Sequence, residues 1–283
     1  MHSHATLPLA YPLKNNLFKI YFSTRDEHNR SQGAWIIIDI TKPQHILDIS
    51  SKPFLIPGKL GSFDDSGVMP TCLLKKGNQL WMYYIGWNLG VTVPFRNSIG
   101  LAISKDDGKT FQKAFEGPVL DRNAEEPYFI ASCEVRHESN LYKIWYLSCV
   151  KWAISHQKPK HYYHIKYAES EDGIHWQRKG QIAIDFKNKN EYALSTPRVL
   201  KEKGKYKMWY SYRGKHYKIG YAESTDGKKW ARKDQEAGIT IAQKGWDSTM
   251  IEYPFVFDHQ GKRYLLYNGN DYGKTGFGLA VWE

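Results

Sequence analysis

The chain repeats one aromatic strand pattern five times, and this repetition constrains its fold more than any other feature. The copies are KIYFSTR (19–25), LWMYYIG (80–86), KIWYLS (143–148), KMWYSY (207–212) and YLLYNG (264–269). With Phe22, Tyr84, Tyr146, Tyr210 and Tyr267 taken as equivalent, the steps are 62, 62, 64 and 57 residues. A period of that length marks an array of similar units. A second strand follows in each unit: GAWIIIDI from Gly33, IGLAIS from Ile99, IKYAES from Ile165, IGYAES from Ile219 and FGLAVWE from Phe277. Three of these run into the turns SKDDGKTF, SEDGIHW and STDGKKW, where an Asp-Gly pair tolerates the left-handed backbone of a tight hairpin. The strands are therefore antiparallel, and the aromatic after each turn is placed to pack back over it.

A third element precedes each aromatic strand and aligns on Pro8, Pro70, Cys133, Pro197 and Pro254. Proline is tolerated where a strand begins or a ladder bond is missing, so this element reads as the innermost strand of each unit. Segments such as TFQKAF from Thr110 and HWQRKG from His175 supply a fourth strand. The expected fold is all-β: a five-bladed β-propeller with four-stranded antiparallel blades around a central funnel. No linker-like stretch interrupts the repeats, so a single domain over 1–283 is expected, with blades near 1–60, 61–122, 123–186, 187–240 and 241–283. An aromatic content of 15% suits flat rings filling the spaces between stacked sheets.

Inner strands of a propeller converge on its axis, so residues at their entrances are expected to line one funnel. Those entrances are acidic: Asp64 and Asp65 before the second blade, Glu125 and Glu126 before the third, Glu191 before the fourth, Asp247 and Glu252 before the fifth. The first offers His4. Glycoside hydrolysis needs one protonated carboxyl group and one carboxylate, and acids crowded in a funnel raise the pKa of at least one of them. Asp65, Glu125, Glu191 and Asp247 occupy comparable places and are the expected catalytic set, with Asp64, Glu126 and Glu252 beside them. An acid before a strand also serves as an ordinary turn or backbone acceptor. Arg25 and Arg213 end aromatic strands where an arginine can fork onto a carboxylate or phosphate, and Arg96 lies in the long insertion GWNLGVTVPFRN. His4, Trp87, Asn268 and Asn270 complete the candidate substrate-binding residues. Trp87 and its counterpart Trp152 have core packing as the competing reading, and the two asparagines are also turn formers. Trp81, Trp145, Trp209 and Tyr267 are read as packing between blades, and Asp106, Asp172 and Asp226 as outer hairpin residues.

Net charge is +11, yet Lys and Arg are scattered through hairpins, which points to a solvated face and away from a nucleic-acid partner. Cys72, Cys133 and Cys149 lack metal-type spacing, so no metal and no cofactor are expected. The opening MHSHATLP has no signal-like apolar run, and no segment reaches the eighteen or so apolar residues of a spanning helix. A cytoplasmic chain without membrane partners is the expectation.

The S-x-D-G-x-x-W turn after Y-A-E-S, the W-Y strand before it and the acid ahead of each inner strand resemble the five-bladed propeller glycosidases of glycoside hydrolase families 32, 43, 117 and 130. The chain also resembles uncharacterised members of that superfamily found with bacterial surface-polysaccharide genes. The resemblance implies a carbohydrate substrate, anionic or phosphate-bearing in one version, and three function classes: a glycosidase, a family 130-like phosphorylase using an arginine cluster for phosphate, or a non-hydrolytic carbohydrate-binding or biosynthetic propeller. Family 43 places its base on the first inner strand, where this chain has His4. The tryptophan-asparagine-aspartate signature of family 32 is absent.

Overall fold

The computed structural model describes residues 2–282, so Met1 and Glu283, the outer limits of the expected domain, lie outside the described residues. Five antiparallel units follow one another around an axis. Their inner strands are Ser3–Pro12, Gly67–Lys76, Ile130–Glu138, Ala193–Glu202 and Glu252–His259. Each pairs with the aromatic strand that follows it, namely Leu17–Arg25, Gln79–Leu89, Leu141–Ser155, Lys205–Arg213 and Lys262–Asn268. Each aromatic strand then pairs with a third strand. Short fourth strands complete the first four blades at Ile46–Ile49, Gln112–Lys113, Ile182–Ile184 and Ala231–Arg232. The segment from Thr110 thus supplies a fourth strand as expected. HWQRKG contributes only the bridge of Gln177 to Glu169, because the fourth strand of that blade starts five residues further on. The fifth blade has three strands among the described residues.

Neighbouring blades are latched through the Asp-Gly turns. In those turns Gly108, Gly173 and Gly227 take φ values of 77°, 81° and 75°, a region that costs glycine nothing. That conformation presents the glycine carbonyl to the preceding blade. There Tyr21 Oη, Tyr83 Oη and Trp145 Nε1 donate to it at 2.5, 2.9 and 2.7 Å. The aromatic after each turn packs on that same donor ring: Phe111 on Tyr21, Trp176 on Tyr83, Trp230 on Trp145. Trp81, Trp145, Trp209 and Tyr267 are all buried between sheets, as read from the sequence.

Every inner strand carries a β-bulge at the height of its aligned proline or cysteine. A bulge frees a backbone N–H, and in four of the five blades a side chain of the adjoining blade captures one. Cys133 N donates to Thr71 Oγ1, Thr196 N to Ser132 Oγ, Tyr253 N to Ser211 Oγ and Leu7 N to Asn268 Oδ1. Asn268 also donates to Ala5 O and Gly276 O, and so ties the last blade to the first. This fully buried amide closes the ring, which corrects its reading as a hydroxyl ligand. Asn268→Ala is expected to lower unfolding stability by about 3 kcal/mol, since Leu7 N and Ala5 O lose their partners in a dry site. A urea titration checks this, and a loss below about 1 kcal/mol would show that the ring closes by other contacts.

Candidate functional site

On one face the bulged strands surround an axial cavity of about 600 Å3 to which all five inner strands contribute, through residues such as Thr6, Met69, Ser132, Thr196 and Tyr253. Seven non-glycine residues with positive φ line it: His4, Leu7, Asn29, Thr196, Tyr253, Asp271 and Tyr272. For a β-branched residue such as Thr196 (φ 50°) that conformation is a genuine outlier. Bulge geometry therefore decides which side chains face the axis. On the far side of the bulges Arg198 Nη1 meets Glu134 Oε1 at 2.6 Å and its Nε donates to Val256 O.

Of the residues singled out in the sequence, His4, Arg25, Trp87 and Arg213 line the cavity. The expected acids do not, and the reason is local. Tyrosines at equivalent places on the aromatic strands each donate to an acid of their own blade: Tyr84 to Asp64, Tyr146 to Glu126, Tyr210 to Asp234 and Tyr267 to Asp247, at 3.1, 2.9, 2.5 and 2.9 Å. In the second, third and fourth blades a base from the outer strands then neutralises the carboxylate. Lys113 pairs with Asp64, Lys166 and Arg178 with Glu126, and Arg232 with both Glu191 and Asp234. Space for the tyrosine ring comes from Gly100 and Gly220, where an added Cβ would lie 2.3 Å from Tyr84 Cζ and 2.8 Å from Tyr210 Cζ.

The expected catalytic quartet is therefore not brought together. Asp65 accepts from Gly61 N, Ser66 and Asn88, which hold its carboxyl below its ordinary pKa despite partial burial. Glu125 is exposed, with its N–H on Asn123 Oδ1. Glu191 is locked bidentately to Arg232, and Asp247 serves Tyr267. Arg96 lies on a neighbouring groove of about 550 Å3 beside Arg122 and Asp121. Asn270 braces a loop by accepting from Thr249 N and Met250 N.

The cavity itself is cationic on one side. Arg25 donates to Asn29 O and stands over the Trp87 ring, whose Nε1 donates to Ser31 Oγ. Arg213 donates to Tyr272 Oη and is flanked by the rings of Tyr192 and Tyr217, while its buried Nε has no partner. Among the described residues neither arginine has a carboxylate within ion-pair distance. Burial, followed by the charge of Arg213, pushes His161 down to about 4, and burial next to Arg25 lowers His4. Of the described residues on the lining, Asp271 is the one that carries a carboxylate. Behind the wall Glu252 is fully buried. Neither of its oxygens has a partner of regular geometry, and Arg213 and Tyr253 are its polar neighbours. Burial pushes its pKa well up, so the expected raised acid exists, through desolvation and not through crowding of acids. Among the described residues no group of three His, Cys, Asp or Glu is disposed to hold a metal ion. All three cysteines are buried and free, and among the described residues no helix is long and apolar enough to cross a membrane.

Two mycobacterial sequences align with almost the whole chain. Uncharacterized protein Rv1502 of Mycobacterium tuberculosis H37Rv is 41% identical over 281 residues, covering 99% of this chain and 93% of its own. Uncharacterized protein MT1551 of strain CDC 1551 matches equally. No family model matches. Solved structures share the fold: BT0996, in a complex with RGII, at TM-score 0.76 and 17% identity, covering 100% of this chain and 88% of that one. A thermostable family-43 glycoside hydrolase follows at 0.70 and 16%, covering 99% and 89%. The GH32 beta-fructofuranosidase BmSUC1 of Bombyx mori gives 0.69 and 15%, covering 99% and 61%.

Two sets of variants test this assignment of the acids. Glu126→Gln and Glu191→Gln are expected to cost about 3 kcal/mol each by leaving buried bases unpaired, whereas Glu125→Gln on the surface changes stability by less than about 0.5 kcal/mol. Equal small losses in all three, read by denaturant titration, would contradict it. Glu252 is protonated in the fold and ionises on unfolding near its ordinary 4.5. Its contribution is complete below that value and is lost as pH rises toward the folded pKa, by up to about 1.4 kcal/mol per pH unit. As pH rises above about 5 the wild type should therefore lose stability faster than Glu252→Gln, and parallel melting curves would refute a raised Glu252.

Proposed function

This chain belongs to one family with the uncharacterized mycobacterial proteins and has the propeller fold of glycoside hydrolases, and from that premise we propose that it acts on a small anionic carbohydrate in a glycosidase-type reaction. The observation that carries the reading is the pair Arg25 and Arg213, two guanidiniums on one cavity, neither of which is in an ion pair among the described residues. In a partly dry site such cations favour a carboxylate or phosphate, and a planar guanidinium binds either through paired N–H donors. The residues bent into left-handed conformations around the same cavity support a functional origin for that strain. In the hydrolytic version Asp271, the acid on the lining, serves the reacting bond, Glu252 stays behind the wall out of contact with substrate, and Arg25 and Arg213 orient the anion. The same arginines favour a second reading in which inorganic phosphate occupies their site as co-substrate and the reaction is phosphorolysis.

Turnover of aryl uronides and neutral aryl glycosides, each with and without phosphate, tests both versions. Hydrolysis of uronides in water is the expected result, with kcat/KM falling about 100-fold in Arg25→Ala and Arg213→Ala and little for neutral substrates. Turnover only with phosphate selects the second version. Equal rates on neutral and anionic substrates, insensitive to both variants, would rule out the anionic site.

A further inference from the structure

Part of the cavity wall asks for something other than a sugar. It comes from blades two and three, adjoins the arginines and is built of interlocked rings. Phe95 meets Phe129, Trp152 and His161 at centroid distances of 5.4, 5.7 and 5.7 Å, and His161 stacks on Tyr163 at 5.0 Å and 13°. Met69, Ile85 and Leu147 continue this wall toward the axis. A surface made to hold only sugar hydroxyls would present donors and acceptors, yet here the polar atoms are few. Tyr163 Oη is already bonded to Tyr217 Oη, and His161 is an uncharged ring near neutral pH. Phe95 begins the third strand of blade two at the turn of the long hairpin, directly across from the exposed Leu89 and close in sequence to the exposed Val91. It therefore stands at the cavity mouth on the side where a second group of the ligand would enter.

We infer that the cavity takes an anionic carbohydrate joined to a flat apolar ring, the anion on Arg25 and Arg213 and the ring against Phe95 and the His161 stack. Rings of that kind gain from offset or edge contact with aromatic walls, and they displace water that the wall cannot hydrogen-bond. A volume of about 600 Å3 has room for two linked rings. This inference rests on the anionic reading of the site. A phenolic aglycone and a nucleobase both satisfy the chemistry.

Calorimetric titration of two matched pairs tests it: p-nitrophenyl glucuronide against glucuronate, and uridine monophosphate against ribose 5-phosphate. In at least one pair the ring-bearing member should bind about tenfold tighter, and the pair that does so identifies the ring. Phe95→Ala should erase that increment while leaving the ringless member within about twofold, and Phe95→Leu, which keeps bulk without a flat face, should do the same. No tightening in either pair, or equal weakening of both members by Phe95→Ala, overturns the inference. Failure of the anionic reading looks different: p-nitrophenyl glucoside would then bind as well as the glucuronide, while the ring increment over glucose remained.

Discussion

The bulge in each inner strand is the constraint on which the rest of the molecule depends. Five strands meeting at one axis cannot all keep a regular ladder and also leave room for a cavity, and the extra residue in each strand removes the conflict. Its cost is a buried N–H without a ladder partner. Thr71, Ser132, Ser211 and Asn268 meet that cost from adjoining blades, so the groups that shape the cavity also hold the blades in register. Cavity shape and stability are thereby coupled at the axis. A change of cavity shape at Thr196 or Tyr253 would disturb a blade contact as well.

The blade repeat was legible because its markers obey strict local chemistry. Asp-Gly turns, a tyrosine or tryptophan at a fixed step and a proline where the ladder breaks each have one geometric solution, and they agree from blade to blade. The prolines also marked the bulges, although the left-handed residues just before Pro8, Pro197 and Pro254 are contrary to the usual preference of a residue preceding proline. What spacing did not convey is the direction in which an acid at a strand entrance turns. It can face the axis or turn back to the tyrosine of its own blade, and both places are reached from the same sequence position.

The missing signal was present, one strand away. Each Asp-Gly turn is followed by an aromatic, one residue, and a base: Phe111 with Lys113, Trp176 with Arg178, Trp230 with Arg232. Those bases are the partners of Asp64, Glu126 and Glu191. A recurring acid, tyrosine and base in step with the blade period is the mark of a structural triad, since catalytic groups in a ring of blades break the symmetry that packing groups keep. Glu252 shows the contrast. Among the described residues its blade has no base at the corresponding place, and its carboxyl is left without a salt bridge.

Symmetry breaking also separates the two arginines of the cavity from the many other cations. Where an arginine serves packing, as Arg178, Arg198 and Arg232 do, a carboxylate stands against it at 2.6 to 2.8 Å. Arg25 and Arg213 are half-buried, with carbonyl, hydroxyl and ring faces in place of an ion-pair partner. Burying a cation without an anion is unfavourable, and stability alone gives no reason to do so twice around one cavity. Burial first, and then the charges of Arg25 and Arg213, lower His4 and His161 on the same lining. The cavity thus combines two arginines outside any ion pair among the described residues with a wall of packed rings.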